Sequence, residues 1–225
     1  MMNYIYLLIE VILVFSLMII FYKLNKKDGL YLYITLMASI LGIVMYKTID
    51  ILSFQINLGL PIIMGIFTCN NIIIHRYGLD EIKKIIYTFL GSCVLTVIIL
   101  GLVSLFVPND YNYITNASFD LLFGYNFVNM RYFIASLISI ILMIWFSGNV
   151  YYYIRRSRNS LLFSNVGTIL LIQFIESILF VIISFVGTYD VVTLFGMIVI
   201  RYLLKIIIGI VGLFPVYLLV KRKDW

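Results

Sequence analysis

Seven stretches of this chain run for about 20 residues each with hardly a charge: Tyr4–Tyr22, Leu30–Tyr46, Ile56–His75, Ile85–Val107, Tyr132–Ile154, Leu161–Val186 and Val191–Val220. A helix rises about 1.5 Å per residue, so each stretch is near the length that crosses the hydrocarbon core of a bilayer. Composition leaves no other solvent. Of 225 residues, 64% are apolar and 12% charged, whereas a soluble domain carries about 25% charged residues. The reading is an all-α, polytopic transmembrane helical bundle of six to seven spans, forming a single domain over residues 1–225. The last stretch is long for one crossing: it is a tilted helix, or a short outer piece followed by a span from about Val199. The first stretch has no positive charge before it and no small-residue cleavage site after it, so it is expected to stay in the mature protein.

The charges set an orientation. Basic clusters fall on every second connection: Lys23, Lys26 and Lys27; Arg76, Lys83 and Lys84; Arg155, Arg156 and Arg158; Lys221, Arg222 and Lys223. The opposite connections hold Asp110, Asp120 and Asp190 and, in the segments Pro108–Asn129 and Gly187–Asp190, no Lys or Arg. The positive-inside rule puts the basic clusters in the cytoplasm, the N-terminus outside and the C-terminus inside. The net charge of +6 is thus sorted between membrane sides and implies no nucleic acid. The segment Pro108–Asn129 combines a turn signal, Pro108-Asn109-Asp110, with the aromatic residues Tyr111, Tyr113, Phe119, Phe123, Tyr125 and Phe127. It reads as an interfacial cap or a short amphipathic helix.

The remaining polar residues point to function. Four basic residues lie outside the clusters: Lys47, Arg131, Arg201 and Lys205. Glu10 and Glu176 interrupt apolar runs. An ionisable group at the centre of a span costs at least ~2.5–3.5 kcal/mol, and such groups usually face the bundle interior. Lys47 and Arg131 are near helix ends, where a long side chain either snorkels to the interface or lines a site. Turned at about 100° per residue, Asn165, Thr168, Gln173, Glu176, Phe180 and Ser184 share one face of the sixth stretch. Neutral polar residues there could simply join helices, but a carboxylate in mid-span is an expensive joint, so this face is expected to border a site. In the third stretch Pro61, Thr68, Asn71 and His75 share a face; Pro61 is expected to kink the helix, and His75 fits an interfacial position beside Arg76. In the seventh, Arg201 and Lys205 share a face with Gly209 and Gly212. The glycines permit close packing, and the cations need a counterion, for which Glu176 is the natural partner and Glu10 the alternative.

Several of these stretches resemble the queuosine precursor transporter family, also called the vitamin uptake transporter (VUT) family. The first is ILGIVMYKTIDI with Lys47. The second is LGLPIIMGIFTCNNIIIHRYGLDEIKKII, in which Pro61, Tyr77 and Gly78 match, while Asn71, Ile74 and His75 stand where the family has Asp, Asn and Glu. The third is MRYFIASLIS, with Arg131, Ala135 and Ser136. The fourth and most specific is NVGTILLIQFIESILFVIISFVG, in which Asn165, Thr168, Gln173, Glu176, Ser177, Phe180 and Phe185 fit, with Glu in place of the family's Asp. The last is YLLKIIIGIVGLFPVYLLVK, with Lys205, Pro215 and Tyr217. The resemblance runs from about Ile40 to the C-terminus.

This resemblance implies uptake, across the cell membrane, of a 7-deazaguanine base destined for tRNA queuosine, or of a related vitamin-like molecule. The substrate-binding candidates are Glu176, Gln173, Asn165, Asn71, Phe180, Lys205, Arg131 and Lys47. A carboxylate accepts the paired N–H donors of a guanine-like edge in charge-assisted hydrogen bonds, Gln173 and Asn71 suit its carbonyl and ring nitrogens, and Phe180 offers a stacking face. Two other readings stand beside it. One is the substrate-binding membrane subunit of an energy-coupling transporter; no nucleotide-binding motif occurs, so ATP use requires an ATPase partner, and a homo-oligomer is equally open. The other is a membrane enzyme, which needs a nucleophile–base pair or metal cluster that one His and two separated Cys do not supply. No cofactor and no metal site is expected.

Overall fold

The computed structural model describes residues 2–51, 54–107, 113–124, 126–158 and 160–221. Among them the elements run α1 (Met2–Val44), β1 (Thr48–Ile51), β2 (Phe54–Asn57), α2 (Leu60–Tyr77), α3 (Glu81–Val103), α4 (Tyr113–Phe123), α5 (Phe127–Arg158), α6 (Leu161–Phe185) and α7 (Val191–Lys221). Five of these helices are long and apolar enough to cross a membrane. The first of them is two spans in one. The backbone leaves helical geometry at Asn25 and Lys26, where Lys26 takes a positive φ of 48°, and the chain folds back so that the Tyr33 hydroxyl donates to the Val14 carbonyl at 3.3 Å. Gly29 makes this reversal feasible, because a Cβ there would overlap the Phe21 carbonyl.

The third expected span needs correcting at its start. Ile56 and Asn57 belong to a β-hairpin, with Thr48 opposite Asn57 and Ile49 opposite Ile56, and the helix begins only at Leu60. Pro61 therefore sits in the first turn, where its missing N–H has no intrahelical partner to lose and its fixed φ suits a helix start; it initiates α2 rather than kinking it. Every residue of α2 from Leu60 to Ile74 is buried, and the helix packs against α1, α3, α5 and α7. It is the hub of the bundle. Close approach to α7 depends on Gly209, where a Cβ would press on Met64 and Ile169, and on Gly212, where it would meet Phe15 and Thr68.

The outward faces of the outer helices are apolar. Leu8, Ile12 and Leu13 of α1, Leu95 and Ile99 of α3, Leu171 and Ile175 of α6, and Ile207, Ile210 and Phe214 of α7 are all exposed, as helix faces bathed in lipid must be. The last apolar stretch is one continuous helix, α7, with Pro215 inside it. Asp190 starts that helix by accepting from the Thr193 amide at 3.1 Å and from its hydroxyl at 2.5 Å; these bonds hold the Asp190 carboxyl below the usual carboxylate range. Within the Pro108–Asn129 segment, α4 forms a short helix whose Phe123 packs edge-on to Tyr46 at the end of α1. The turn Pro108-Asn109-Asp110, Tyr111 and Tyr125 lie outside the described residues, as do Arg222 and Lys223 of the last basic cluster. The hairpin and α4 lie at one end of the bundle, and Lys27, Arg76, Arg155 and Arg156 at the other.

Candidate functional site

The polar face of α6 points inward. Asn165, Thr168, Gln173, Glu176, Phe180 and Ser184 are all buried. About three turns from the hairpin end, Glu176 meets two cations of α7, spaced i and i+4 so that both reach the same neighbour. The Lys205 ammonium pairs with Oε2, and Arg201 Nη2 lies 3.2 Å from Oε1. Ser139 of α5 donates to Oε1 at 3.5 Å. The expected partnership of Glu176 with Lys205 is thus observed, and its need is plain: Glu176 is 1% exposed and Lys205 0%.

Arg201 joins this cluster to the hairpin. Its Nη1 donates to Asn57 Oδ1 at 2.9 Å, its guanidinium stacks 3.9 Å from the centre of the Phe180 ring, and its Nε is buried without an acceptor. A small cavity of about 20 Å³ lies beside Arg201, Asn57 and Phe180, with Thr48 and Tyr132 in its wall. Thr48 and Tyr132 also line a larger cleft of about 610 Å³ under α4, with Met45, Tyr46 and Asn129. The cleft is of ligand size, and it shares Thr48 and Tyr132 with the small cavity that Arg201 lines. At the cluster itself the Arg201 guanidinium covers the Phe180 ring.

Gln173 lies one turn below Glu176. Its Nε2 contacts Met143 Sδ at 3.6 Å, and its Oε1 is buried without a donor. Nearer the basic end, Asn71 of α2 donates to Asn165 Oδ1 at 3.4 Å, and Asn165 in turn donates to the Leu161 carbonyl at 2.9 Å. Asn71 Oδ1 is also without a donor. Beside it, Asn70 donates to Ser147 Oγ at 2.8 Å, and its own Oδ1 is unpartnered. Three buried amide oxygens on α2 and α6 thus keep open acceptor sites.

The other expected residues are elsewhere. Arg131 binds the final turn of α6, donating to the carbonyls of Ile183 at 2.8 Å and Val186 at 2.5 Å. It satisfies orphan carbonyls at a helix C-terminus and complements the dipole there. Lys47 is exposed in the turn between α1 and β1. His75 is half-buried at the basic end, its Nδ1 2.8 Å from the Tyr151 hydroxyl, and neighbouring Arg76 donates to the Leu219 carbonyl at the end of α7. Arg201, Asn57 and Ser139 are the site residues that the sequence reading left out of its substrate-binding set. For Arg201 the available signal was its i, i+4 spacing with Lys205; for Asn57 there was none, since it contacts a residue 144 positions away.

A family model described as "Putative vitamin uptake transporter" matches residues 57–220, which takes in the whole ion cluster. The "Probable queuosine precursor transporter" of Bacillus subtilis (strain 168) is similar to this chain, 23% identical over 202 residues that cover 88% of this chain and 86% of the relative. No solved structure matches.

Proposed function

The chain belongs to the vitamin uptake transporter family, and from that premise we propose that this integral membrane protein imports a queuosine precursor, a 7-deazaguanine base, by binding it at the α6–α7 ion cluster. The observation that carries this reading is the stacked Arg201–Phe180 pair beside the Glu176 carboxylate, placed below a ligand-sized cleft. A base entering from the hairpin side takes the place of the Arg201 guanidinium on the Phe180 ring. Its adjacent ring N–H and exocyclic amine donate to Glu176 Oε1, in charge-assisted bonds of the stronger class, while Lys205 keeps Oε2. Arg201, released from Oε1, donates to the base carbonyl, and Gln173 Oε1 accepts a remaining N–H. Asn71 and Asn165 form the next polar step toward the basic end.

The basic clusters support this direction of uptake: under the positive-inside rule they favour the hairpin end outside the cell and the C-terminus in the cytoplasm. Sites of this sort lie near the middle of the membrane between helices, and Glu176, about 14 Å of helix from the end of α6, fits that depth. The test is expression in a bacterial strain that neither makes the precursor nor has an importer for it. Feeding 7-deazaguanine precursors should restore queuosine in tRNA. Absence of queuosine, with the protein present in the membrane, would refute the reading.

A further inference from the structure

At the basic end of the bundle, α2 and α5 enclose a second site that the α6–α7 cluster does not use. Gly148 brings α5 against its neighbours, since a Cβ there would strike Ile74 of α2 and Ile82 of α3. Those two side chains and Tyr151 form a small apolar cluster, and the Tyr151 hydroxyl lies 2.8 Å from His75 Nδ1. Beyond this contact α2 ends at Gly78, whose φ of 95° is of the kind that stops a helix. A cavity of about 380 Å³ remains, with His75, Gly78, Tyr151, Arg155 and Arg156 in its wall. We propose that this cavity binds a phosphate group, carried by an anionic lipid of the adjoining leaflet or free in solution.

The observation that points to a ligand is Arg155 Nη1, which is buried and has no hydrogen-bond partner among the described residues. A guanidinium that is simply solvated at the membrane surface keeps its N–H groups in water, whereas a buried donor without an acceptor costs free energy. Its charged neighbours are engaged elsewhere. Arg76 donates to the Leu219 carbonyl and lies over the Tyr22 ring, and the Glu81 carboxylate takes Lys27 and the Tyr31 hydroxyl. Two guanidiniums in one cavity wall call for an anion, and their planar forks match paired phosphate oxygens. With the Tyr151 hydroxyl donating to Nδ1, His75 carries its proton on Nε2 and adds a neutral donor. Basic pockets between membrane helices take lipid head groups by this chemistry.

The test uses the purified full chain in detergent at neutral pH and constant ionic strength. One arm titrates it with inorganic phosphate by calorimetry. The other mixes it with phosphatidylglycerol and phosphatidylcholine of equal chain length and reads the retained lipid by native mass spectrometry. The control is Arg158→Gln, which removes a charge from the same end of α5 but from a residue that lies over the Phe163 ring. Arg155→Gln should weaken binding at least ~10-fold, the loss of a charge-assisted hydrogen bond, and Arg158→Gln no more than about two-fold. Retention of phosphatidylglycerol over phosphatidylcholine supports the proposal with a lipid as the source. Saturable binding of inorganic phosphate without a lipid preference supports it with a free anion. Neither saturable phosphate binding nor a lipid preference in the wild-type protein overturns it. Equal losses in Arg155→Gln and Arg158→Gln also overturn it, since overall charge then decides. Should Arg155→Gln not run monodisperse, Arg155→Lys replaces it: the charge stays but the paired N–H groups go, and undiminished binding there overturns the proposal.

Discussion

Removing Lys205 should destabilise the wild-type protein and stabilise a Glu176→Gln variant, an inversion of sign that only a shared counterion produces. In the wild type, Lys205→Met leaves Glu176 paired with Arg201, so the loss is that of one charged contact, about 1.5–3 kcal/mol. Glu176→Gln is worse: it strands Arg201 and Lys205 together, at 3% and 0% exposure, without any carboxylate. Breaking a buried pair in this way costs ~3–5 kcal/mol. In that background Lys205→Met takes away a stranded cation and replaces it with an apolar side chain, so part of the loss returns. Residues in contact couple by about 0.5–3 kcal/mol, and the coupling here should lie at the top of that range. The assay is thermal unfolding of the four proteins in detergent, with monodispersity checked by size exclusion. The expected order of stability is wild type, then Lys205→Met, then the double variant, then Glu176→Gln. Additive losses, with the double variant the least stable of the four, would show that Lys205 and Glu176 do not share charge in the folded protein.

Arg131→Ala should lower stability by about 1–3 kcal/mol, because two carbonyls at the end of α6 lose their donor, while substrate affinity stays within a few-fold; a folded variant that fails to bind would return Arg131 to the site. Gly212→Leu should cost ~1–3 kcal/mol or more by overpacking, since its side chain enters the space of Phe15 and Thr68; an unchanged melting temperature would mean that α2 and α7 do not pack there. A cysteine introduced at Arg156 should react with a membrane-impermeant thiol reagent only after cells are permeabilised. Labelling of intact cells would reverse the orientation.

What was legible in the sequence is what depends on local pattern. The bounds of α6 follow from its apolar run almost to the residue, and its inward face follows from the spacing of Asn165, Gln173, Glu176 and Phe180. The pairing of Glu176 with Lys205 follows from cost: a lone carboxylate and a lone ammonium in neighbouring spans need each other. The hairpin was not legible, because its two four-residue strands sit between apolar runs and its second strand reads as the start of a span. Helix α2 hid its role for a different reason. It is buried on every side from Leu60 to Ile74, so the shared face of Thr68 and Asn71 does not separate a core side from a lipid side as it would on an outer helix, and its place at the centre is visible only once four neighbours surround it. Arg131 shows the limit of counting charges, since a cation near a span end serves a helix terminus as readily as a ligand. The Asn57–Arg201 contact joins residues with no sequence relation, and only the tertiary fold brings them together.

The claim at the centre is that the Glu176 carboxylate recognises the substrate as well as balancing charge in the bundle. The Glu176→Gln/Lys205→Met double variant separates the two roles, because it removes the carboxylate together with one of the two cations paired with it. Binding of 7-deazaguanine to this purified, monodisperse variant should therefore be compared with that of the wild type. Gln presents an amide donor to the donors of the base, and an unsatisfied buried polar group costs ~1–3 kcal/mol, with one stranded on each side. That predicts affinity weakened by a factor of roughly 30 or more, since 1.4 kcal/mol is tenfold. Wild-type affinity in the double variant would leave Glu176 as a structural counterion and place substrate recognition elsewhere in the bundle.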